Sequence, residues 1–135
     1  MKNKNVFLLD DEHTNISWLV EWLNSKGCTT ETAASADEAL NKLEGKVSKF
    51  DCFLIDLNVP TSVHRGTGPI YTEYPGLAVA QKIRSWGVAG GKVVIYSVHL
   101  TPQLEVEIYE KLSCKYVVKG RPRELKSVLI KDLSL

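Results

Sequence analysis

Asp10, Asp11, Asp56, Ser97 and Lys119 are the residues whose types and positions could do chemistry together. Asp10 and Asp11 close the apolar run Val6-Phe7-Leu8-Leu9, and Asp56 closes Phe53-Leu54-Ile55. Ser97 closes Val93-Val94-Ile95-Tyr96, and Lys119 closes Tyr116-Val117-Val118. Clustered carboxylates suit a divalent cation such as Mg²⁺, which takes oxygen ligands and is typically held by one or two carboxylates, waters and phosphate oxygens. The cation in turn relieves repulsion among the acids. A lysine ammonium adds a positive point charge and a serine hydroxyl adds a donor. Such a set suits phosphoryl transfer, which is mostly positioning and charge neutralisation. A carboxylate can itself accept the phosphoryl group and become an aspartyl phosphate. Any one of these residues alone is ordinarily a helix cap or a solvated side chain; it is the set, in its order, that points to this chemistry.

Each of these runs reads as a short strand, and the stretches between them have helical periodicity. The reading is five strand–helix units: strands at Asn5–Asp10, Thr29–Ala33, Phe50–Asp56, Lys92–Tyr96 and Tyr116–Val118. The first helix spans about Thr14–Lys26 and stops at Gly27, a good C-terminal glycine. The second begins at Ser35 with Glu38 three residues on, a capping box, and ends near Gly45. The third follows Gly76 and runs to Trp86; the fourth opens at Thr101 with Pro102 in its first position; the fifth runs from Pro122 towards Lys131. Alternating strands and helices build an α/β fold with a parallel sheet covered on both faces. Ligands of such sheets bind outside the carboxyl ends of the strands, where all five candidate residues fall.

With 135 residues, 44% of them apolar and 24% charged, the chain is expected to form a single domain, 1–135, with a core that needs no staples. A net charge of +1 gives no global field towards nucleic acid or membrane. The basic residues Lys111, Lys115, Lys119, Arg121, Arg123 and Lys126 are ordinarily read as a solvated face, with partner docking as the minority reading. Cys28, Cys52 and Cys114 are widely spaced and lack a CxxC, which argues against zinc and for a reducing compartment; Cys52 reads as core packing. The apolar run before Asp10 is too short for a signal peptide or membrane span, so a soluble cytoplasmic protein is expected. Trp18 and Trp22 on the first helix read as half-buried packing rather than a partner surface.

Two further features lie near the acid cluster. The stretch Thr61–Pro75 breaks the strand–helix rhythm, and its root lies just past Asp56. Loops of this length are usually functional or disordered, and His64, Arg65, Tyr71 and Tyr74 are its candidate contacts. His99 lies two residues past Ser97, as Asn58 lies two past Asp56.

In this order the residues resemble the receiver domain of two-component response regulators, over essentially the whole length. Asp10-Asp11-Glu12, Asp56, Ser97 and Lys119 match the family's acidic pair, acceptor, hydroxyl and lysine, and Asp56-Leu57-Asn58-Val59-Pro60 resembles its acceptor segment. Tyr116 falls where the family has a switch aromatic. The resemblance implies a flavodoxin-like doubly wound (βα)5 three-layer sandwich with sheet order 2-1-3-4-5. It implies that Asp56 accepts a phosphoryl group from a histidine kinase or histidine phosphotransfer protein. Asp11 and Asp56 would hold Mg²⁺ directly, Asp10 through water, and Asn58 by its backbone carbonyl. Ser97 and Lys119 would bind phosphoryl oxygens. Ser97 and Tyr116 would move together as the switch, and Asn58 and His99 would tune phosphoryl lifetime. The face of the fourth helix, fifth strand and fifth helix would meet an output partner or a second copy. Membrane and direct nucleic-acid contacts are not expected. The chain would not be an enzyme in the ordinary sense, only a phosphoacceptor with self-catalysed transfer and autodephosphorylation.

The chain departs from the family pattern in four places. The segment 61–75 is an insertion, about a dozen residues beyond the usual length. Gly120, not proline, follows Lys119, which argues against a cis bond there. Ser97 stands where threonine is commoner, and His99 is the fourth departure. Two other functions compete. One is a phosphorylation-independent pseudo-receiver that serves as an interaction module. The other is a phosphohydrolase, which would need a general acid where this chain has Asn58.

Overall fold

The computed structural model describes residues 3–61, 68–98 and 100–135, and of His13 the backbone alone. Five short strands form one parallel sheet: β1 (Asn5–Leu9), β2 (Thr29–Ala33), β3 (Cys52–Asp56), β4 (Val93–Ser97) and β5 (Lys115–Val118). The sheet order is β2-β1-β3-β4-β5, as expected for a flavodoxin-like fold. The central strands are buried along nearly their whole length, which is why they read as unbroken apolar runs.

Alternation along the strands divides the core into two clusters. Phe7, Leu9, Phe53, Ile55, Val93 and Ile95 face α2 (Ala36–Leu43), α3 (Pro69–Glu73), α4 (Pro75–Ser85) and α5 (Pro102–Glu105). Val6, Leu8, Leu54, Val94, Tyr96 and Val117 face α1 (His13–Ser25) and α6 (Pro122–Leu133). Helix α1 ends as its glycine predicts, with Gly27 at φ +86°. Helix α2 is capped by Ser35 as expected, its Oγ accepting from the Glu38 N–H at 3.1 Å, while the Glu38 carboxylate reaches one residue past the cap to accept from the Ala34 N–H at 2.7 Å. Thr101 Oγ1 caps α5 through the Leu104 N–H.

Two elements differ from expectation. Among the described residues of 61–75 lies α3, a short helix begun by Pro69 and anchored by buried Ile70 and Tyr71. Pro75 then opens α4 one residue before Gly76. The predicted third, fourth and fifth helices are therefore α4, α5 and α6. The predicted fourth helix also does not stay α-helical, for Val106–Lys111 widens into a π-helix, with the Leu112 N–H donating to the Glu107 carbonyl. The Lys119–Gly120 bond is not cis; no cis peptide occurs among the described residues. No helix among them is long and apolar enough to cross a membrane.

Candidate functional site

The carboxyl edge of the sheet gathers the expected residues. Asp10 follows β1, Asp56 ends β3, Ser97 ends β4 and Lys119 follows β5. Asp10, Asp56 and Ser97 are almost wholly buried. Carboxylate oxygens of Asp10, Asp11 and Asp56 all lie within 4.8 Å of one another, with Asp11 on the exposed side. Lys119 reaches across β4, its Nζ 2.9 Å from Asp56 Oδ2 and 3.3 Å from Asp10 Oδ2. Three carboxylates against one ammonium leave the charge deficit of one divalent cation, and the oxygen-only donor set has the hardness that Mg²⁺ requires.

Both buried acids are held by local turns. The Glu12 N–H donates to Asp10 Oδ1 at 2.9 Å, and the Asn58 N–H donates to Asp56 Oδ1 at 3.1 Å. Burial pushes the Asp56 carboxyl above its ordinary range, against the pull of the Lys119 and Asn58 hydrogen bonds. Burial alone would lower Lys119, but its hydrogen bond to Asp56 and the charges of Asp56 and Asp10 win, so its pKa is raised. The site therefore holds a firmly charged lysine beside a carboxylate that gains from any further positive charge.

The loop after Asp56 is fixed at close range. Helix α4 approaches so tightly that a Cβ on Gly76 would lie 1.9 Å from the Asp56 carbonyl oxygen. The Gly76 N–H donates to the Leu57 carbonyl at 3.0 Å, and the Ala36 N–H donates to the Pro60 carbonyl at 2.9 Å. Tyr116 is half-buried, and its hydroxyl donates to the Ser97 carbonyl at 2.9 Å.

A model of the response regulator receiver domain family matches residues 6–130. The chain belongs to that family. Among solved structures, this receiver is similar to a two-component response regulator from Clostridium difficile, at 16% identity and a TM-score of 0.75 over 97% of this chain and 96% of that one. A CheY-like response regulator receiver domain protein from Methanospirillum hungatei JF-1 shares 20% identity and a TM-score of 0.77, with 98% and 95% covered. Vibrio cholerae chemotaxis protein CheY4 shares 20% identity and a TM-score of 0.73, with 96% and 98% covered. At such identities the likeness is one of fold. No curated protein sequence matches the receiver.

The other candidates fall in different places. Asn58 is exposed beside Asp56, whereas His64, Arg65 and His99 lie outside the described residues. Tyr71 is buried, with its hydroxyl 2.8 Å from Glu107 Oε2, and Tyr74 packs partly buried against the core. Of the cysteines, all three are buried and free, and burial pushes the Cys52 thiol up to about 12. Trp18 and Trp22 are partly exposed and share the ammonium of Lys126, at 5.7 and 5.6 Å from the ring centroids.

Tyr96 is the member of the site that the sequence did not single out. Its hydroxyl donates to Asp10 Oδ2 at 3.0 Å, and Lys119 Nζ lies 5.0 Å from its ring centroid. Burial, then the neighbouring Asp10, raises the phenol well above its ordinary value, so it remains a donor at neutral pH. One signal for it existed: a buried tyrosine needs a partner for its hydroxyl. Beside it opens a cavity of about 530 Å³ lined by Trp18, Val98, Val118, Lys119 and Pro122 among others.

Proposed function

We propose that this receiver accepts a phosphoryl group on Asp56 from a phosphohistidine donor and passes the change to a partner. The observation that carries the reading is Asp56 itself, buried beside Lys119, with Asp10 and Asp11 within 4.8 Å. An Asp56 carboxylate oxygen attacks phosphorus, the new O–P bond forms as the donor's N–P bond breaks, and the imidazole leaves with the electron pair. Lys119 is placed to offset charge on the transferring oxygens, and Ser97 would add its hydroxyl. Asp11 and Asp56 would hold Mg²⁺ directly, with Asp10 and the Asn58 carbonyl as further contacts. Bound there, the cation would neutralise charge developing on the phosphoryl group.

The signal would travel through Ser97 and Tyr116. New hydrogen bonds to the phosphoryl group would draw Ser97 inward, and Tyr116, tied to the Ser97 carbonyl, would follow. The face of α5, β5 and α6 would then present a different surface to an output partner or a second copy. The whole chain acts in this reading as one receiver, with 61–75 as an insertion.

The test is intact mass after incubation with Mg²⁺ and acetyl phosphate, with Asp56→Asn as control. One added phosphoryl group, lost in the variant, is the expected result. Phosphate carried equally by the variant would overturn the acceptor assignment. No gain in wild type, despite measurable Mg²⁺ binding, would favour a phosphorylation-independent interaction module.

A further inference from the structure

The two buried acids of the site are not equivalent, and Tyr96 makes the difference. An ionised carboxylate offers about four lone-pair sites. Asp56 spends one on the Asn58 N–H and one on Lys119. Asp10 receives the Glu12 N–H on one oxygen and both the Tyr96 hydroxyl and Lys119 on the other. Asp10 is thus close to saturated by the protein's own donors, while Asp56 keeps room for new partners.

The placement of Tyr96 follows from the sheet. It stands opposite Asp56 in the β3–β4 register but points to the α1–α6 face, alongside Leu8 and Leu54. From β4 its ring spans β3 to reach the acid at the end of β1. The same ring lies under the ammonium of Lys119, so one side chain touches both Asp10 and Lys119.

We propose that Tyr96 is a positioning residue of the acid site: its hydroxyl fixes Asp10 and its ring seats Lys119, which sets the frame in which Asp56 takes up a cation and a phosphoryl group. The proposal rests on the reading of the acid cluster as a Mg²⁺ site. Groups hydrogen-bonded to metal-binding side chains typically govern affinity by 10–100-fold. Tyr96→Phe keeps the ring and the packing and removes only the hydroxyl.

The experiment is calorimetric titration of Mg²⁺ into the full chain, with no phosphodonor present, alongside thermal melting. Tyr96→Phe is expected to weaken Mg²⁺ binding about tenfold. Leu129→Ala, a cavity in the same apolar cluster away from the acids, is expected to lower Tm and leave the Mg²⁺ Kd as in wild type. A Tyr96→Phe protein that behaves like Leu129→Ala, with lowered Tm and unchanged Kd, would show a packing role only and overturn the proposal. So would tighter binding. A wild-type chain that takes up no Mg²⁺ would overturn the reading of the acid site and this proposal with it, an outcome distinct from unchanged affinity in the variant.

Discussion

Burial raises the Asp56 carboxyl even though Lys119 and the Asn58 N–H both favour its anion. A carboxyl whose pKa is higher in the folded than in the unfolded chain costs stability once it ionises. The fold holds the proton more tightly between the ordinary 3.8 and the raised value, so stability falls as pH climbs through that window. Asp56→Asn removes the cost, and Lys119 keeps Asp10 as its partner. The variant should therefore melt above wild type at pH 7 without Mg²⁺, and lose that advantage below pH 3.8. Thermal melts across pH check the sign, and a variant less stable at neutral pH would mean that the Lys119 pairing outweighs burial. Asp10, Asp11, Asp56, Ser97 and Lys119 were legible because each ends an apolar run, and chain order alone brings such ends together. Tyr96 was not, because its hydroxyl is satisfied two strands away, a distance that only the sheet order reveals.

Helix α3 is held to the π-helical turn after α5 by a buried bond, Tyr71 to Glu107, with Lys111 on the other carboxylate oxygen at 2.9 Å. Burial works against the Glu107 charge, but the Lys111 and Tyr71 bonds overcome it and lower its pKa. Tyr71→Phe leaves that carboxylate short of a donor and should destabilise the fold by about 1–3 kcal/mol, read from chemical denaturation. A lowered acid stabilises above its unfolded pKa and loses its contribution as pH falls through the folded one. The gap in Tm between wild type and Glu107→Gln should thus be widest at neutral pH and close as pH drops below 4.5. The start of α5 was readable from Thr101 and Pro102, whose cap is local chemistry. Its widening at Val106–Lys111 was not, because periodicity describes the face a helix buries and not a change in its winding. Helix α3 is too short for periodicity to register, although Gly68-Pro69 marks its start.

At the scale of the molecule, the parallel sheet and its two covered faces follow from apolar strands separated by helical stretches, whereas the strand order came from the family resemblance and not from the pattern of burial. The close seat of α4 on the loop after Asp56 was visible only as a glycine at position 76. Gly76→Ala places a methyl against the Asp56 carbonyl and should cost about 3 kcal/mol in denaturant unfolding, together with slower phosphoryl loading. An unperturbed melt would mean that α4 can withdraw freely. The same contact has a second consequence. Because the Leu57 carbonyl and the Gly76 N–H meet at 3.0 Å, the chain between them leaves and returns through one gate. The entropy of closing such an excursion grows only with the logarithm of its length, so doubling it costs roughly 0.6 kcal/mol. A change of length made between Leu57 and Gly76 therefore need neither reopen the sheet nor move Asp56, because both ends of the excursion are already joined.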